Sequence, residues 1–286
     1  MLFFTQKGKC FWMRVYEIPE GSRTSKGRAI QNLINIEQDD KVKAFICTKD
    51  LKDDEYINNH YVIMATKKGQ VKKTSLEQYS RPRVNGINAI TIKENDELLE
   101  AKLTDGNSQV MLALKSGKAI RFEEAKTRPM GRNASGVRGI RLQHEKDEVI
   151  GMVAVNDMES NILVVSSNGY GKRSRLDDYR ITNRGGKGVK TISITEKTGD
   201  LVAIKNVDDT NGLMIINKSG IAIRMAVKNL RVMGRATQGV KLINLKQGDS
   251  IAAVAKVVHE DEDDQGVNEV DQENMDNNIE NNSNIE

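Results

Sequence analysis

Residues 163–191 read LVVSSNGYGKRSRLDDYRITNRGGKGVKT: an apolar run, a polar turn ending at Gly169, a second β-like run, and a basic loop closing at Gly188. The same order recurs five times along the chain. The opening runs are LFFTQKG, VIMATKKG, MLALKSG, LVVSSNG and MIINKSG, with turn glycines Gly8, Gly69, Gly117, Gly169 and Gly220. A second glycine follows at Gly27, Gly86, Gly136, Gly188 and Gly239, at intervals of 19, 17, 19, 19 and 19 residues. A third anchor closes each unit, an acidic residue before another apolar run: DDKVKAFI, NDELLEAKL, KDEVIGMVAV, GDLVAIKNV and GDSIAAVAKVV. Val and Ile dominate the apolar positions, and turn residues interrupt them every eight to twelve residues or so, which argues for strands over helices. A period near 50 with about four short strands per unit predicts an all-β, propeller-like array of five four-stranded blades, because one blade alone cannot bury its apolar faces. The repeats divide the chain at about 1–54, 55–106, 107–158, 159–209 and 210–258. The polar stretch KDLKDDEYINNH at 49–60 lengthens the first interval and reads as a surface loop.

Composition separates body from tail. Of 44 basic and 40 acidic residues, the segment 259–286 holds 11 acidic ones and no Lys or Arg, so the body carries +15 under a net charge of +4. Rich in Asn and Glu and without apolar periodicity, the tail is expected to be disordered. Hydrophobic residues make up 38% of the chain, enough to build a core. Cys10 and Cys47 form no disulfide framework and read as small buried side chains in a reducing compartment, which points to the cytoplasm. No apolar run is long enough to span a bilayer, and the start MLFFTQKGKC does not read as a signal peptide.

Bases recur in register. Four residues after the turn glycines stand Trp12, Lys73, Arg121, Arg173 and Arg224, with Arg14, Lys72 and Lys172 beside them. Four residues before the second glycines come Arg23, Arg132, Arg184 and Arg235, with Arg81 and Arg83 in the shortened second unit. Arg28, Arg138, Lys190 and Lys241 follow the second glycines. An isolated surface base is simply solvated, but five registered sets on a body of +15 predict a continuous positive rim suited to a polyanion. Lys, Arg and backbone N–H groups bind phosphates without reading bases, and glycine lets the backbone come close. The loop Arg184-Gly185-Gly186-Lys187-Gly188 is the best preserved of these sites.

Other chemistry is thin. A nucleotide P-loop needs G-x-x-x-x-G-K-[ST] opening a helix. Here Val189 precedes Lys190-Thr191, and the following VKTISIT is β-like. His60, His144 and His259 lack metal-site spacing, and no nucleophile–base set stands out, so neither a catalytic nor a metal site is assigned. Tyr79 and Tyr179 share a repeat position and are expected to pack or hydrogen-bond at a corner; Trp12 is expected to pack between blades.

The segments GQVKKTSLEQYSRPRVNGI, RPMGRNASGVRGIRL, NGYGKRSRLDDYR and VMGRATQGVKLI resemble the C-terminal DNA-wrapping domain of the DNA gyrase A protein, and the resemblance runs through residues 1–258. It implies a β-pinwheel, six-bladed in the full family domain, with duplex DNA around a basic rim. The family's hallmark box is Gln, Lys or Arg, then Arg-Gly-Gly-Lys-Gly, in its first blade; residues 184–188 match its last five positions, but Thr182 and Asn183 replace the first two. That blade, and the cleavage domain with its active-site tyrosine, are accordingly expected upstream of Met1, which makes this chain a fragment.

The resemblance further implies non-specific DNA binding and wrapping in support of negative supercoiling. Its implied partners are the N-terminal region of gyrase A and the gyrase B protein in an A2B2 holoenzyme, with ATP and Mg acting outside this chain. Two other readings stay open: the corresponding domain of topoisomerase IV, and a protein-binding propeller scaffold.

Overall fold

Each repeat opens with a hairpin about its turn glycine. In the computed structural model, which describes residues 1–22 and 25–258, the hairpins pair Leu2–Thr5 with Lys9–Trp12, Tyr61–Thr66 with Gln70–Ser75, and Gln109–Leu114 with Lys118–Glu123. Asn161–Ser166 with Tyr170–Arg175 and Asn211–Asn217 with Ala222–Ala226 complete the set. Arg23 and the acidic tail, with the expectations placed on them, lie outside the described residues. The run after each acidic anchor returns as a third antiparallel strand beside the first: Val42–Ile46, Leu98–Thr104, Val149–Val155, Leu201–Val207 and Ile251–Val258. These third strands neighbour one another from repeat to repeat, giving a blade array.

The fourth strand corrects the picture of self-contained units. Ile87–Asn88, Val137–Arg138, Val189–Lys190 and Val240–Lys241 each follow a second glycine, and each pairs with the hairpin of the preceding repeat. Every blade but the last is therefore completed by a strand borrowed from the next repeat. The boundaries drawn from the sequence divide repeats, not sheets. Among the described residues the outcome is four four-stranded sheets and a fifth with three strands, ordered Ala222–Ala226, Asn211–Asn217, Ile251–Val258. The fifth hairpin lacks an exchanged partner among the described residues.

Glycine is required at both repeat positions. The second glycines Gly136, Gly188 and Gly239 have φ of +83°, +71° and +81°, and a Cβ on any of them would stand 2.6 Å from a backbone oxygen of the preceding hairpin. Left-handed backbone and close approach of two strands both exclude a side chain there. At the turn glycines, a Cβ on Gly69, Gly117 or Gly169 would meet the carbonyl of Ile140, Ile192 or Ile243 at 2.8–2.9 Å.

Both faces of the inner blades are buried, which explains why their first strands read as unbroken apolar runs rather than alternating ones. Val62 and Met64 pack towards Leu2, Phe4 and Ile46 of the first blade, whereas Ile63 and Ala65 pack towards Val110, Leu112 and Leu114 of the third. The outer face of the first blade is covered by its own repeat, through Ile34 and Ile36 on Phe3, Phe11 and Met13.

Two further expectations are corrected. The stretch 49–60 is not a plain loop: Asp53 caps a helix, Asp54–Asn59, by accepting from Tyr56 N at 3.1 Å, and Ile57 is buried in the core between the first two blades. Cys10 is buried as read, but Cys47 is exposed.

Candidate nucleic-acid interface

The bases found in the sequence fall into two sets at different depths. Lys72, Lys73, Arg121, Lys172 and Arg173 were expected on the rim, yet they are 0–7% exposed. Their strand is overlain by the loop of the following repeat, so a side chain there meets carbonyl groups or, at Lys73, the buried Glu124 carboxylate instead of water. Buried cations of this kind persist only when hydrogen-bonded or paired.

The position four residues after the turn glycine acts as a fastener between blades. Trp12 Nε1 donates to Tyr79 O at 2.9 Å, beside the 3₁₀ turn Leu76–Tyr79 of the next repeat. Lys73 Nζ lies 3.7 Å from the buried Glu124 of the next such turn and over the Tyr61 ring. Arg121 donates to Leu176 O and Tyr179 O at 2.8 and 2.9 Å, and to Gln109 Oε1 at 2.6 Å. Arg173 donates to Leu230 O at 2.5 Å and pairs with Asp209. Arg224, whose blade has no following repeat among the described residues, is exposed instead.

One residue earlier, Lys72 Nζ donates to Ala89 O and Arg132 O at 2.6 and 2.5 Å, and Lys172 Nζ to Gly234 O and Thr237 Oγ1 at 2.6 and 3.1 Å. Burial pushes the Lys72 ammonium down to about 7, with Arg132 adding repulsion. Lys172 is pushed down to about 8, chiefly by burial, with Asp178 opposing and Arg235 assisting. Tyr79 and Tyr179 are fully buried at the same corner; the Tyr179 hydroxyl meets Thr191 Oγ1 at 2.5 Å.

The second set lies outside. Arg81, Arg83, Arg138, Lys187, Lys190 and Lys241 are exposed. Arg138, Lys190 and Lys241 occupy one register position, the second residue of successive exchanged strands, so the blade geometry repeats them around the outer edge. Arg132, Arg184 and Arg235 are half-buried. Arg184 donates to Lys126 O and Arg138 O at 3.0 and 3.1 Å, and Arg235 to Lys190 O at 2.8 Å. Each of these two arginines thus ties its loop to the exchanged strand of the repeat before it.

Within residues 184–188 the glycines differ in kind. Gly185 N donates to Gly139 O at 2.6 Å, so that N–H is occupied within the protein. Gly188 is held against Ala119, whereas Gly186 and Lys187 face solvent. A shallow cavity of about 200 Å³ opens beneath them, lined in part by Arg180, Thr182 and Asn183. Arg180 belongs to a set not singled out from the sequence: Arg128, Arg180 and Arg231 are exposed and stand four residues before Arg132, Arg184 and Arg235. Their fixed offset was the available signal. Among the described residues there is no cluster of His, Cys, Asp or Glu able to hold a metal ion, and no helix long and apolar enough to cross a membrane.

Fold and site together define a class, a strand-exchanged propeller with bases repeated along its outer loops. The sequence matches the family described as "DNA gyrase C-terminal domain, beta-propeller" over residues 1–49, 60–105, 110–156, 160–208 and 213–257, and the chain belongs to that family. It is 44% identical over 263 residues to the DNA gyrase A protein of Staphylococcus epidermidis and 43% identical over 264 residues to that of Staphylococcus aureus. Each alignment covers 92% of this chain but 29% of the relative, so the chain spans under a third of their length. Solved structures share the fold: the C-terminal domain of DNA topoisomerase IV has a TM-score of 0.80 at 24% identity, covering 90% of this chain and 78% of that one. The DNA gyrase A C-terminal domain has a TM-score of 0.76 at 23% identity, covering 90% and 82%.

Proposed function

We propose that this chain binds duplex DNA without sequence preference along its outer loops and bends it, as the C-terminal part of a gyrase A protein. The observation that carries the reading is the register of Arg138, Lys190 and Lys241 on successive exchanged strands, each preceded in its loop by exposed Arg128, Arg180 or Arg231. Repetition at blade spacing suits a uniform polyanion better than a single compact ligand. Lys187 and Gly186 add an outward-facing element in the fourth repeat. The contacts are to phosphates, which position a duplex without reading it. Bending 20–30 base pairs by 40–90° costs on the order of 1–6 kcal/mol, which distributed contacts offset.

In the parent enzyme, a type IIA topoisomerase, the wrap would fix the sign of the DNA crossing and so support negative supercoiling. The N-terminal region of gyrase A and the gyrase B protein, in an A2B2 assembly in the cytoplasm, are the proposed partners. Strand cleavage, ATP hydrolysis and Mg chemistry are assigned outside this chain. The test is titration of a labelled duplex of about 40 base pairs between 50 and 200 mM salt. A steep fall in affinity is expected, and salt-insensitive or absent binding overturns the reading. Religation of nicked plasmid on the protein, read as a shift in linking number, tests bending into a wrap.

A further inference from the structure

Among the exposed bases, three apolar side chains are held out to solvent at one repeat position. Pro129, Ile181 and Val232 are exposed, Ile181 by 47% and Val232 by 40%, and each directly follows the exposed Arg128, Arg180 or Arg231. A single apolar residue on a surface needs no cause. Three in one register call for one.

Their backbone is fixed. Pro129, Ile181 and Val232 form parallel bridges to Lys73, Arg121 and Arg173, the buried bases of the preceding hairpin. The N–H of the next residue closes each contact: Met130 N donates to Lys73 O at 2.8 Å, Thr182 N to Arg121 O at 2.9 Å and Met233 N to Arg173 O at 2.8 Å. The segment is pinned against its blade, so little ordering is left to be lost when a partner docks.

The same blade edges carry the exchanged strands. Arg138 pairs with Gln70, Lys190 with Lys118 and Lys241 with Tyr170, three residues before Lys73, Arg121 and Arg173. Three residues of strand span about 10 Å. Each edge thus presents an apolar side chain next to an exposed arginine, with a second exposed base about 10 Å away.

This alternation selects the occupant. An apolar protein surface would need a contiguous patch, whereas here each apolar residue stands singly between bases. A nucleic acid backbone supplies both parts, phosphates for the bases and, between successive phosphates, a sugar whose C–H face is apolar. In DNA that sugar lacks the 2′-hydroxyl, the group by which a protein tells RNA from DNA. Against an apolar side chain a 2′-hydroxyl would lose its water without gaining a partner.

We infer that Pro129, Ile181 and Val232 seat against deoxyribose in the bound duplex and so make this surface select DNA over RNA. The inference rests on the proposed duplex binding and adds to it a contact that is neither ionic nor directed at a base.

The test compares the full 286-residue chain with P129S/I181S/V232S and with the conservative I181V/V232I, on DNA and RNA duplexes of one sequence. Affinity for DNA is expected to fall about tenfold in the triple variant, with the slope of log affinity against log salt unchanged because the phosphate contacts remain. Affinity for RNA should stay within about twofold of the parent's, which also shows that the variant is folded, so the preference for DNA narrows. The A-form shape of RNA is the same for every protein compared and does not produce that change. I181V/V232I should bind as the parent does. Unchanged DNA affinity, an equal loss on both duplexes, or a flattened salt slope would each overturn the inference while leaving non-specific binding in place. A loss of polyglutamate binding equal to the loss on DNA would assign the row to an acidic protein surface instead. Failure of the parent chain to bind DNA at all would overturn the proposed function, and this inference with it.

Discussion

The buried and exposed bases of this protein are the same residue types, and only their position relative to the two repeat glycines separates them. Lys72, Lys73, Arg121, Lys172 and Arg173 follow the turn glycine by three or four residues and are covered by the next repeat. Arg138, Lys190 and Lys241 follow the second glycine by two residues and face solvent. The first set holds adjacent repeats together through carbonyl groups and, at Lys73, the buried Glu124 carboxylate, and the second stays exposed, where the proposed phosphate contacts fall. Where a following repeat lies over its blade, a basic residue therefore has its role set by which glycine it follows; Arg224, with no such repeat among the described residues, is exposed.

The sharpest way to break this division is Arg121→Ala. It strands Leu176 O and Tyr179 O and empties the space between the third and fourth blades, at a cost of about 3 kcal/mol. Denaturant unfolding should record the loss, while DNA affinity measured well below the transition stays near that of the parent chain. A loss of affinity with unchanged stability would place Arg121 in the wrong set.

The reciprocal change is Arg138, Lys190 and Lys241 together to Ala. The slope of log affinity against log salt should flatten by about 0.9 for each phosphate no longer neutralised. Stability should move by no more than about 0.5 kcal/mol, as expected of surface positions.

The buried lysines sharpen the comparison through pH. Lys72 holds its proton in the native state only below about 7, whereas the unfolded chain keeps it up to the ordinary lysine range. Between those values the unfolded state binds more protons, so stability rises with pH, by at most about 1.4 kcal/mol per pH unit for this one group. Unfolding free energies at pH 7 and pH 9 should therefore diverge more in the parent chain than in Lys72→Met. Equal slopes would show that the native state keeps this ammonium charged throughout.

The smallest effect is expected at Gly186, which is exposed, is not left-handed, and would meet its nearest neighbour only at 3.4 Å. Gly186→Ala should be neutral or stabilise by up to about 1 kcal/mol. Gly188→Ala, with φ +71° and a Cβ 2.6 Å from Ala119 O, should destabilise clearly.

Much of the fold was legible because its cause is local. Turn glycines, β-branched runs and acidic anchors each specify a hairpin or a strand within a few residues, and their recurrence gave the blade count. Which hairpin receives the short strand after each second glycine was not legible. Val189 pairs equally well by composition with the hairpin of its own repeat or of the one before, and only the packed array selects Ala119. The depth of the bases was lost for the same reason, since Lys172 looks solvated until the Gly234–Thr237 loop is laid over it. The helix at Asp54–Asn59 was hidden by its polarity, with Ile57 as its single buried residue.

Strand exchange also sets a timetable for synthesis. The hairpin residue Ala119 meets its partner Val189 only after some 70 further residues have been made. At 5–20 residues per second this is about 4–14 s, during which the third blade has an open edge as the chain leaves the ribosome. Each of the first four blades is completed by the growth of its successor, so the array matures one repeat behind translation.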